Sequence, residues 1–183
     1  MYQLDVYLTQ AINGLSGRSD IADFIMIWAS GAGIPLMVSA VAAQWWRRER
    51  RPHVRHALVA TGLSFLLGEL LNQVIGTPID RVRPFVAGVS HLMMSPSADF
   101  SFPSDHATAG IAIAAAFFLH RMFRMGMLFG SAALLVCISR VYVGEHYLSD
   151  VLGGAATAWL AALAVRYAYP EGTTLDRRIT RIL

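Results

Sequence analysis

The grouping of apolar residues into long segments is the feature that most limits how this chain can fold. Five such segments cover roughly 21–46, 56–77, 105–120, 126–144 and 149–169. A helix of about 20 apolar residues crosses the hydrocarbon core of a bilayer, and the segments approach this length. Only 15% of the 183 residues are charged, whereas soluble domains carry about 25%. The sequence therefore predicts an integral membrane protein.

Helices are predicted for these segments, because the period-two alternation of a membrane barrel is not visible. Residues 1–18 lack the basic start and long apolar run of a signal peptide, and their apolar positions fit an amphipathic helix lying in the membrane interface. We expect an all-α integral membrane helical bundle with about five transmembrane helices, formed by a single domain over 1–183. Residues 170–183 are expected to form an exposed, amphipathic cytoplasmic tail.

The single Cys137 lies inside an apolar segment. One cysteine excludes an intramolecular disulfide and most cysteine-based metal sites. The net charge of +3 comes from arginines beside hydrophobic segments, which favours a role in membrane topology over nucleic-acid binding. We expect the lipid bilayer as a partner, no nucleic acid, no metal and no cofactor. The sequence carries no signal for the oligomeric state.

The arginines predict how the chain crosses the membrane. Eleven of the fifteen lie on the side where the first segment ends, among them Arg47, Arg48, Arg50, Arg51 and Arg55. An excess of positive charge marks the cytoplasmic side of a membrane protein. The chain is therefore expected to be a multi-pass protein of the cell (inner) membrane, with its other side facing the periplasm or the cell exterior.

Three polar stretches fall on the predicted outer side: "DRVRPF" at 80–85, "PSDH" at 103–106 and "SRVYVGEHYLSD" at 139–150. Ionisable groups at the ends of membrane segments are expensive and mark functional sites. Arg83 and Arg140, beside a helix that starts near Ser104, would form an anion site, because guanidinium groups and free backbone N–H groups bind phosphate oxygens.

Two histidines in these stretches suit a nucleophile and a general acid. Asp150 follows His146 by four residues and would lie on the same face of a helix. Its carboxylate could orient the imidazole through one ring nitrogen and stabilise positive charge on the ring, which leaves the other nitrogen free to attack. The other histidine is His106, in "PSDH".

Each of these residues also has an ordinary explanation when it is taken alone. Ser104 or Asp105 could simply cap a helix, His146 and Asp150 could be a local helix pair, and Arg140 could extend to the membrane interface. Their common position on one membrane face, with complementary chemistry, favours a single site.

The same stretches resemble the signatures of the type 2 phosphatidate phosphatase superfamily. "PSDH" at 103–106 resembles the second signature, Pro-Ser-Gly-His, and 139–150 matches the third, Ser-Arg-x5-His-x3-Asp. "RP" at 83–84 matches the end of the first, Lys-x6-Arg-Pro. Over residues 76 to 150, the sequence is similar to that of bacterial undecaprenyl-diphosphate phosphatases of the bacitracin-resistance type.

The resemblance implies a helical membrane bundle with its site at the outer leaflet and a phosphohistidine mechanism without metal. His146 would attack the terminal phosphorus and Asp150 would orient it, while His106 would protonate the leaving oxygen and then activate water. The phosphoryl oxygens would be held by Arg83, Arg140, Ser104 and backbone amides near Asp105.

Two positions depart from the family pattern. Gly76 stands where the family has its lysine, and the chain contains no lysine. Arg81 is the nearest cation, and we expect it to reach the same phosphate oxygens. Asp105 replaces the glycine of the second signature. Its carboxylate would repel phosphate, so we expect it to turn away, to cap the helix or to pair with an arginine.

The predicted activity is hydrolysis of undecaprenyl diphosphate to undecaprenyl phosphate and phosphate, which recycles the lipid carrier of cell-wall assembly. Other substrates of the same class remain open: phosphatidylglycerophosphate, phosphatidate and lipid A phosphate. A lipid transporter that binds phosphate without cleaving it is another alternative. It would need the arginines but neither a nucleophile nor an acid, so the two histidines argue against it. A metallohydrolase could use the histidines with Asp105 and Asp150, but the arginines so close by disfavour a cation.

Overall fold

A computed structural model describes residues 2–46 and 51–181, and all regular secondary structure in these residues is helical. In chain order the helices are α1 (Tyr2–Asn13), α2 (Asp20–Ala43), α3 (Arg51–Ile79), α4 (Asp105–Leu119), α5 (Phe123–Tyr142), α6 (Leu148–Ala168) and α7 (Thr174–Thr180). A short 3-10 turn, Gln44–Trp46, extends α2. The all-α prediction is confirmed.

Four helices in the described part of the chain are long and apolar enough to cross a membrane: Asp20–Trp46, Arg51–Ile79, Phe123–Tyr142 and Leu148–Ala168. The third predicted segment, 105–120, corresponds to α4, which is apolar but only 15 residues long. The protein is therefore a multi-pass membrane protein, and its third predicted segment is a shorter helix than the others.

Helix α4 forms the centre of the bundle and packs against α3, α5 and α6. Small side chains make this possible, since alanine and glycine allow helix backbones to approach closely. At Gly154 of α6, an added Cβ would lie 2.5 Å from the Ser104 carbonyl oxygen. Thr108 fixes the same crossing by donating a 3.0 Å hydrogen bond to the Gly154 carbonyl. The start of α4 is thereby held beside the start of α6.

The main apolar core lies towards the other end of α4. Phe117 and Phe129 stack there with ring centroids 5.1 Å apart, and Met37, Leu58 and Ile113 belong to the same buried cluster. This packing joins α2, α3, α4 and α5, so the polar end of the bundle is built on a rigid apolar support.

Helix α1 packs on the polar end of the bundle, against α5 and α6. Thr9 and Asn13 are buried in this contact, whereas Tyr2, Leu4 and Tyr7 are exposed. The side chain of Asn13 donates to the carbonyl oxygens of Tyr142 and His91 at 2.8 and 2.9 Å. The amphipathic helix predicted in residues 1–18 is thus present over Tyr2–Asn13, and its place in the membrane interface stays a prediction.

Most residues of the predicted tail are exposed, but one face of it is docked on the bundle. Helix α7 packs against α3, and Asp176 is buried there, accepting hydrogen bonds from Tyr169 Oη at 2.7 Å and from His56 Nδ1 at 2.9 Å. Burial acts to raise the pKa of Asp176, but hydrogen bonds from Gly172, Tyr169 and His56 outweigh it and lower the pKa. A single buried acceptor thus ties an otherwise exposed segment to the bundle, and its cytoplasmic location stays a prediction.

Three of the arginines used for the topology prediction, Arg47, Arg48 and Arg50, lie outside the described residues. Arg51 and Arg55 lie in the first turns of α3, and Arg124 lies in the first turn of α5. The alternation of the helices puts these positions at the end of the bundle opposite to the "PSDH" stretch. The arginine-rich and histidine-containing ends are therefore separate.

Candidate active site

A small cavity of about 80 Å³ lies at the polar end of the bundle, where the three polar stretches meet. Five of the predicted site residues line it: Arg83, Asp105, His106, Arg140 and His146. The loop over residues 80–104 supplies other parts of the wall, including Ser97, Asp99 and Phe100. The structure thus brings together the loop before α4, the first turn of α4, the last turn of α5 and the segment between α5 and α6.

His146 is buried just before the start of α6. Its Nδ1 lies 2.8 Å from the carbonyl oxygen of Ser101. A carbonyl oxygen can only accept, so Nδ1 carries the hydrogen, and the lone pair of Nε2 accepts at 3.3 Å from Arg83 Nη1. Burial, with Arg140 and Arg83 acting in the same direction, lowers the pKa of His146 against the opposing effect of Asp150. The imidazole is therefore neutral, and its Nε2 carries the lone pair that a nucleophile needs, facing the Arg83 guanidinium.

Asp150 is fully buried and holds several groups in place. Its Oδ2 accepts from Ser101 Oγ at 2.5 Å and from the Tyr147 backbone N–H at 2.9 Å, and its Oδ1 accepts from Arg81 at 2.6 Å. Oδ2 lies 3.6 Å from His146 Nδ1. The nearest partner of the imidazole is thus the Ser101 carbonyl, and Asp150 acts on the ring through its charge and through its hold on Ser101.

The two arginines of the cavity share one buried acid, Glu145. Arg83 Nη1 lies 2.6 Å from Glu145 Oε2, and Arg140 Nη2 lies 3.7 Å from the same oxygen. Arg83 also pairs with Asp99 at 2.7 Å, and Arg140 donates to Ser30 Oγ at 2.6 Å. These contacts fix both guanidinium groups beside His146 before any substrate is bound.

Two donors in or beside the cavity lining are buried without a hydrogen-bond partner among residues 2–46 and 51–181: the Nε of Arg140 and the hydroxyl of Ser104. Arg140 lines the cavity, and Ser104 lies between the lining residues Pro103 and Asp105 without lining it itself. Buried polar groups are nearly always paired, so such exceptions indicate a place where a ligand completes the bonding. Ser104 precedes α4 as its N-cap residue, but its side chain makes no capping hydrogen bond. The capping explanation therefore does not account for this hydroxyl.

Asp105 lines the cavity, but its carboxylate is held from the side of α3. Oδ1 accepts a 2.8 Å hydrogen bond from the amide of Asn72, and the carboxyl group of Glu69 lies close by on α3. The sequence predicts a carboxylate that caps the helix or pairs with an arginine. The structure instead gives it the Asn72 amide as hydrogen-bond partner and a second acid as a neighbour.

Arg81 is also placed differently from the prediction. Its guanidinium donates to Asp150 at 2.6 Å and to Asp5 at 2.7 Å, and it does not line the cavity. Burial lowers the pKa of Arg81, but Asp5 and Asp150 more than compensate and raise it. Both carboxylates bind the guanidinium, so Arg81 is in no position to take over the role of the missing lysine at the phosphate.

The glycine at the lysine position has a structural reason of its own. A Cβ on Gly76 would run into the ring of Phe100, which forms part of the cavity wall. The 80–104 loop therefore occupies the space that a side chain at position 76 would need. A lysine at position 76 would clash with this aromatic ring, so the ring position explains why the family lysine is absent.

Sequence reasoning missed three residues of the site. Glu145 stands directly before His146 in the third signature, and an acid beside the predicted nucleophile was the signal available for it. Asp99 lies in the loop without a motif. Ser101 takes part through its carbonyl oxygen as well as its hydroxyl, and a backbone acceptor leaves no trace in residue type.

A second opening reaches the same two residues of α4. A groove of about 170 Å³ is lined by Ile34, Phe65, Glu69, Ala109, Asp105 and His106, from helices α2, α3 and α4. Asp105 and His106 are common to the groove and the polar cavity.

Among the described residues, no group of three or more histidines, cysteines or acids is arranged to hold a metal ion.

A cavity lined by two arginines and two histidines thus lies at one end of a membrane helix bundle. Comparison with known proteins identifies the class: residues 57–173 match the PAP2 superfamily. The chain belongs to this family, as the resemblance of its signatures predicts, and it is a membrane-embedded phosphatase that acts on a lipid phosphate.

Two relatives and one solved structure illustrate the similarity. Undecaprenyl-diphosphatase BcrC of Bacillus subtilis (strain 168) is 35% identical over 151 residues, which cover 81% of this chain and 76% of that protein. Phosphatidylglycerophosphatase B of the same organism is 34% identical over 148 residues, covering 75% and 68%. The crystal structure of a transmembrane PAP2 type phosphatidylglycerolphosphate phosphatase from Bacillus subtilis has a TM-score of 0.67 and 27% identity, and covers 100% of this chain and 89% of that one.

Proposed function

We propose that this phosphatase hydrolyses undecaprenyl diphosphate to undecaprenyl phosphate and inorganic phosphate through a phosphohistidine at His146. The observation that carries the proposal is the buried, unpartnered Nε of Arg140 in a cavity that His146 also lines, with a second such donor, Ser104 Oγ, between the lining residues Pro103 and Asp105. A phosphoryl group has several acceptor oxygens and would satisfy both donors. The choice of substrate rests on the similarity to the undecaprenyl-diphosphatase of Bacillus subtilis.

In the first half of the reaction, Nε2 of His146 attacks the terminal phosphorus. The bond from phosphorus to the bridging oxygen breaks, and His106 gives that oxygen a proton. Arg83, Arg140 and Ser104 hold the phosphoryl oxygens, whose charge is stabilised more strongly in the transition state than in the ground state. Asp150 stabilises the positive charge that the imidazole ring acquires.

In the second half, His106 takes a proton from water, and the resulting hydroxide attacks the phosphohistidine. The bond from nitrogen to phosphorus breaks, inorganic phosphate leaves, and both histidines return to their starting states. The residue that served as acid thus serves as base, as in other double-displacement reactions.

The apolar groove supports a lipid substrate of this type. It meets the cavity at Asp105 and His106, so a head group in the cavity would leave its hydrocarbon chain against Ile34 and Phe65. Such walls bind apolar chains without strong selectivity, since apolar contacts are not directional.

Phosphatidylglycerophosphate is the second candidate substrate, because a phosphatidylglycerophosphatase is nearly as similar in sequence. The two differ in the leaving group: a diphosphate releases a phosphate, whereas a phosphomonoester releases an alkoxide that depends more on an acid. Phosphatidate and lipid A phosphate belong to the second class. We place the reaction at the outer face of the cell (inner) membrane, because the arginines gather at the opposite end of the bundle.

The test is phosphate release by the detergent-solubilised protein, with undecaprenyl diphosphate and phosphatidylglycerophosphate supplied separately and EDTA present. We expect release from undecaprenyl diphosphate to be faster by kcat/KM, and to disappear in His146→Ala. A His106→Ala variant, quenched during turnover, should accumulate protein-bound phosphate that is stable in alkali and labile in acid. Faster release from phosphatidylglycerophosphate would reverse the substrate assignment, and release that requires a metal would reject the mechanism.

A further inference from the structure

The N-terminal helix reaches the catalytic machinery although it lies outside the part of the chain that matches the family, residues 57–173. Asp5 of α1 accepts three hydrogen bonds there. Its Oδ2 receives the Arg81 guanidinium at 2.7 Å and the Ser149 hydroxyl at 2.5 Å, and its Oδ1 receives the Ser149 backbone N–H at 3.0 Å. One carboxylate thus ties α1 to the loop and to the start of α6.

These contacts continue without a break to the nucleophile. Arg81 donates to Asp150 at 2.6 Å, and Asp150 accepts from Ser101 Oγ at 2.5 Å. The carbonyl oxygen of Ser101 then accepts from His146 Nδ1 at 2.8 Å. Arg81 also lies over the ring of Tyr147 at 3.9 Å from its centroid. Every group between Asp5 and His146 is therefore held by its neighbours.

We propose that Asp5 is a positioning residue of the phosphatase, which holds Arg81 so that Asp150 and Ser101 keep His146 in its attacking orientation. The proposal rests on the proposed role of His146 as nucleophile. The proposal also assigns a function to Arg81 other than replacing the missing lysine at the phosphate. Arg81 acts on Asp150, which lies on the Nδ1 side of His146.

Charge is the first reason why Asp5 matters. Hydrogen bonds from Ser149 and Arg81 outweigh the effect of burial and lower the pKa of Asp5, so this carboxylate is ionised at neutral pH. With Asp5 present, the positive charge of Arg81 is divided between two carboxylates. Without it, Arg81 would neutralise Asp150 alone, and less negative charge would remain to stabilise the imidazolium that forms during attack.

Geometry is the second reason. Only 21% of the Arg81 side chain and 13% of the Asp5 side chain are exposed, so solvent does little to weaken their contact. A guanidinium bound at both ends is fixed in direction, whereas one that is bound only to Asp150 can turn about that contact. Small displacements of a reacting group lower rates strongly.

The experiment compares kcat and KM for phosphate release in four purified variants and the wild type. Asp5→Asn keeps the shape of the side chain and removes its charge, and Asp5→Glu keeps the charge. Thr9→Val removes a different α1 contact, since Thr9 Oγ1 accepts from the Leu148 N–H at 3.1 Å. Asp20→Asn is the matched charge control, because Asp20 lies in the exposed first turn of α2.

We expect Asp5→Asn to lower kcat roughly tenfold with KM changed less than about twofold, since it leaves the phosphate ligands intact. Asp5→Glu should recover part of the loss, and Asp20→Asn should match the wild type. Thr9→Val should lower the melting temperature while kcat stays within about twofold of the wild type. In an Arg81→Gln background, Asp5→Asn should have no further effect on kcat, because the two act through one contact.

The proposal is overturned if Asp5→Asn retains wild-type kcat, if its effect falls on KM, or if Thr9→Val lowers kcat as much. If Asp5→Asn does not fold, Arg81→Lys decides: lysine keeps the charge but lacks the planar guanidinium that holds two carboxylates in fixed directions, so unchanged kcat rejects the proposal. Failure of the proposed function is recognised separately, by activity that survives in His146→Ala. If undecaprenyl diphosphate is not the substrate, the same comparison is made with phosphatidylglycerophosphate.

Discussion

Replacing Glu145 with glutamine would remove the negative charge that lies between the two arginines of the phosphate site. The carboxylate is only 1% exposed and lies 2.6 Å from Arg83 and 3.7 Å from Arg140. Glutamine has nearly the same shape, and its carbonyl oxygen can still accept from Arg83. The substitution therefore changes charge with little change in packing.

The substitution should have two opposite effects: it lowers the stability of the fold and raises the affinity for a phosphate analogue. Both follow from the contacts of Glu145 with the two arginines. Breaking a buried ion pair by removing one partner costs about 3–5 kcal/mol. The hydrogen bond that glutamine retains brings the expected loss of stability to about 2–3 kcal/mol. The arginines are at the same time freed to bind another anion. We expect the inhibition constant of vanadate, a phosphate analogue, to fall about tenfold, which corresponds to about 1.4 kcal/mol.

The assay combines thermal unfolding with vanadate inhibition of phosphate release, and Glu171→Gln is the matched control. Glu171 pairs with His53 at 2.9 Å, but its side chain is 41% exposed and lies far from the cavity. Glu145→Gln should melt at a lower temperature than the wild type and recover most of the difference when vanadate is added. Weaker vanadate inhibition in Glu145→Gln would refute the reasoning, since it would mean that Glu145 orients the arginines for phosphate instead of competing with it.

Three further predictions concern other parts of the chain. Ser104→Ala should lower kcat/KM by about tenfold to a hundredfold, as expected for a lost phosphoryl donor, without lowering the melting temperature, because the hydroxyl has no partner to lose. Gly76→Ala should cost about 1–3 kcal/mol of stability through its clash with Phe100, whereas Gly62→Ala in the same helix meets no neighbouring atom and should be neutral or stabilising in the same unfolding assay. The lowered pKa of Asp176 means that its contribution to stability is complete above the ordinary carboxyl pKa and is lost as the pH falls through the folded value. The melting temperature of Asp176→Asn should therefore fall less than that of the wild type between about pH 5 and pH 3, and equal slopes would contradict this account.

The sequence predicted the helices and the residues of the cavity for a physical reason. Apolar length defines a membrane helix almost by itself, and α4 begins at Asp105 where the predicted segment begins. Once the helices alternate across a membrane, motifs at their ends must share a face. His106 and His146, forty residues apart in the chain, could be placed at one site by counting crossings.

The contacts that hold these residues could not be read in the same way. Arg81 was expected at the phosphate because of its charge and its position, but Asp5, 76 positions away, binds it elsewhere. The docking of α7 depends on one buried acid, Asp176, whose partner His56 lies 120 positions away. Such contacts depend on the packing of side chains in the folded protein, and single-residue patterns carry no record of it.

Asp105 and His106 line both the cavity and the groove, and this has a consequence for how the two products leave the enzyme. A lipid phosphate bound across this junction would have its scissile bond at the boundary between two compartments, one polar and one apolar. After cleavage, inorganic phosphate would depart through the polar mouth, and the lipid would withdraw sideways into the bilayer from which it came. Neither product would have to wait for the other, and the hydrocarbon chain would never have to enter water.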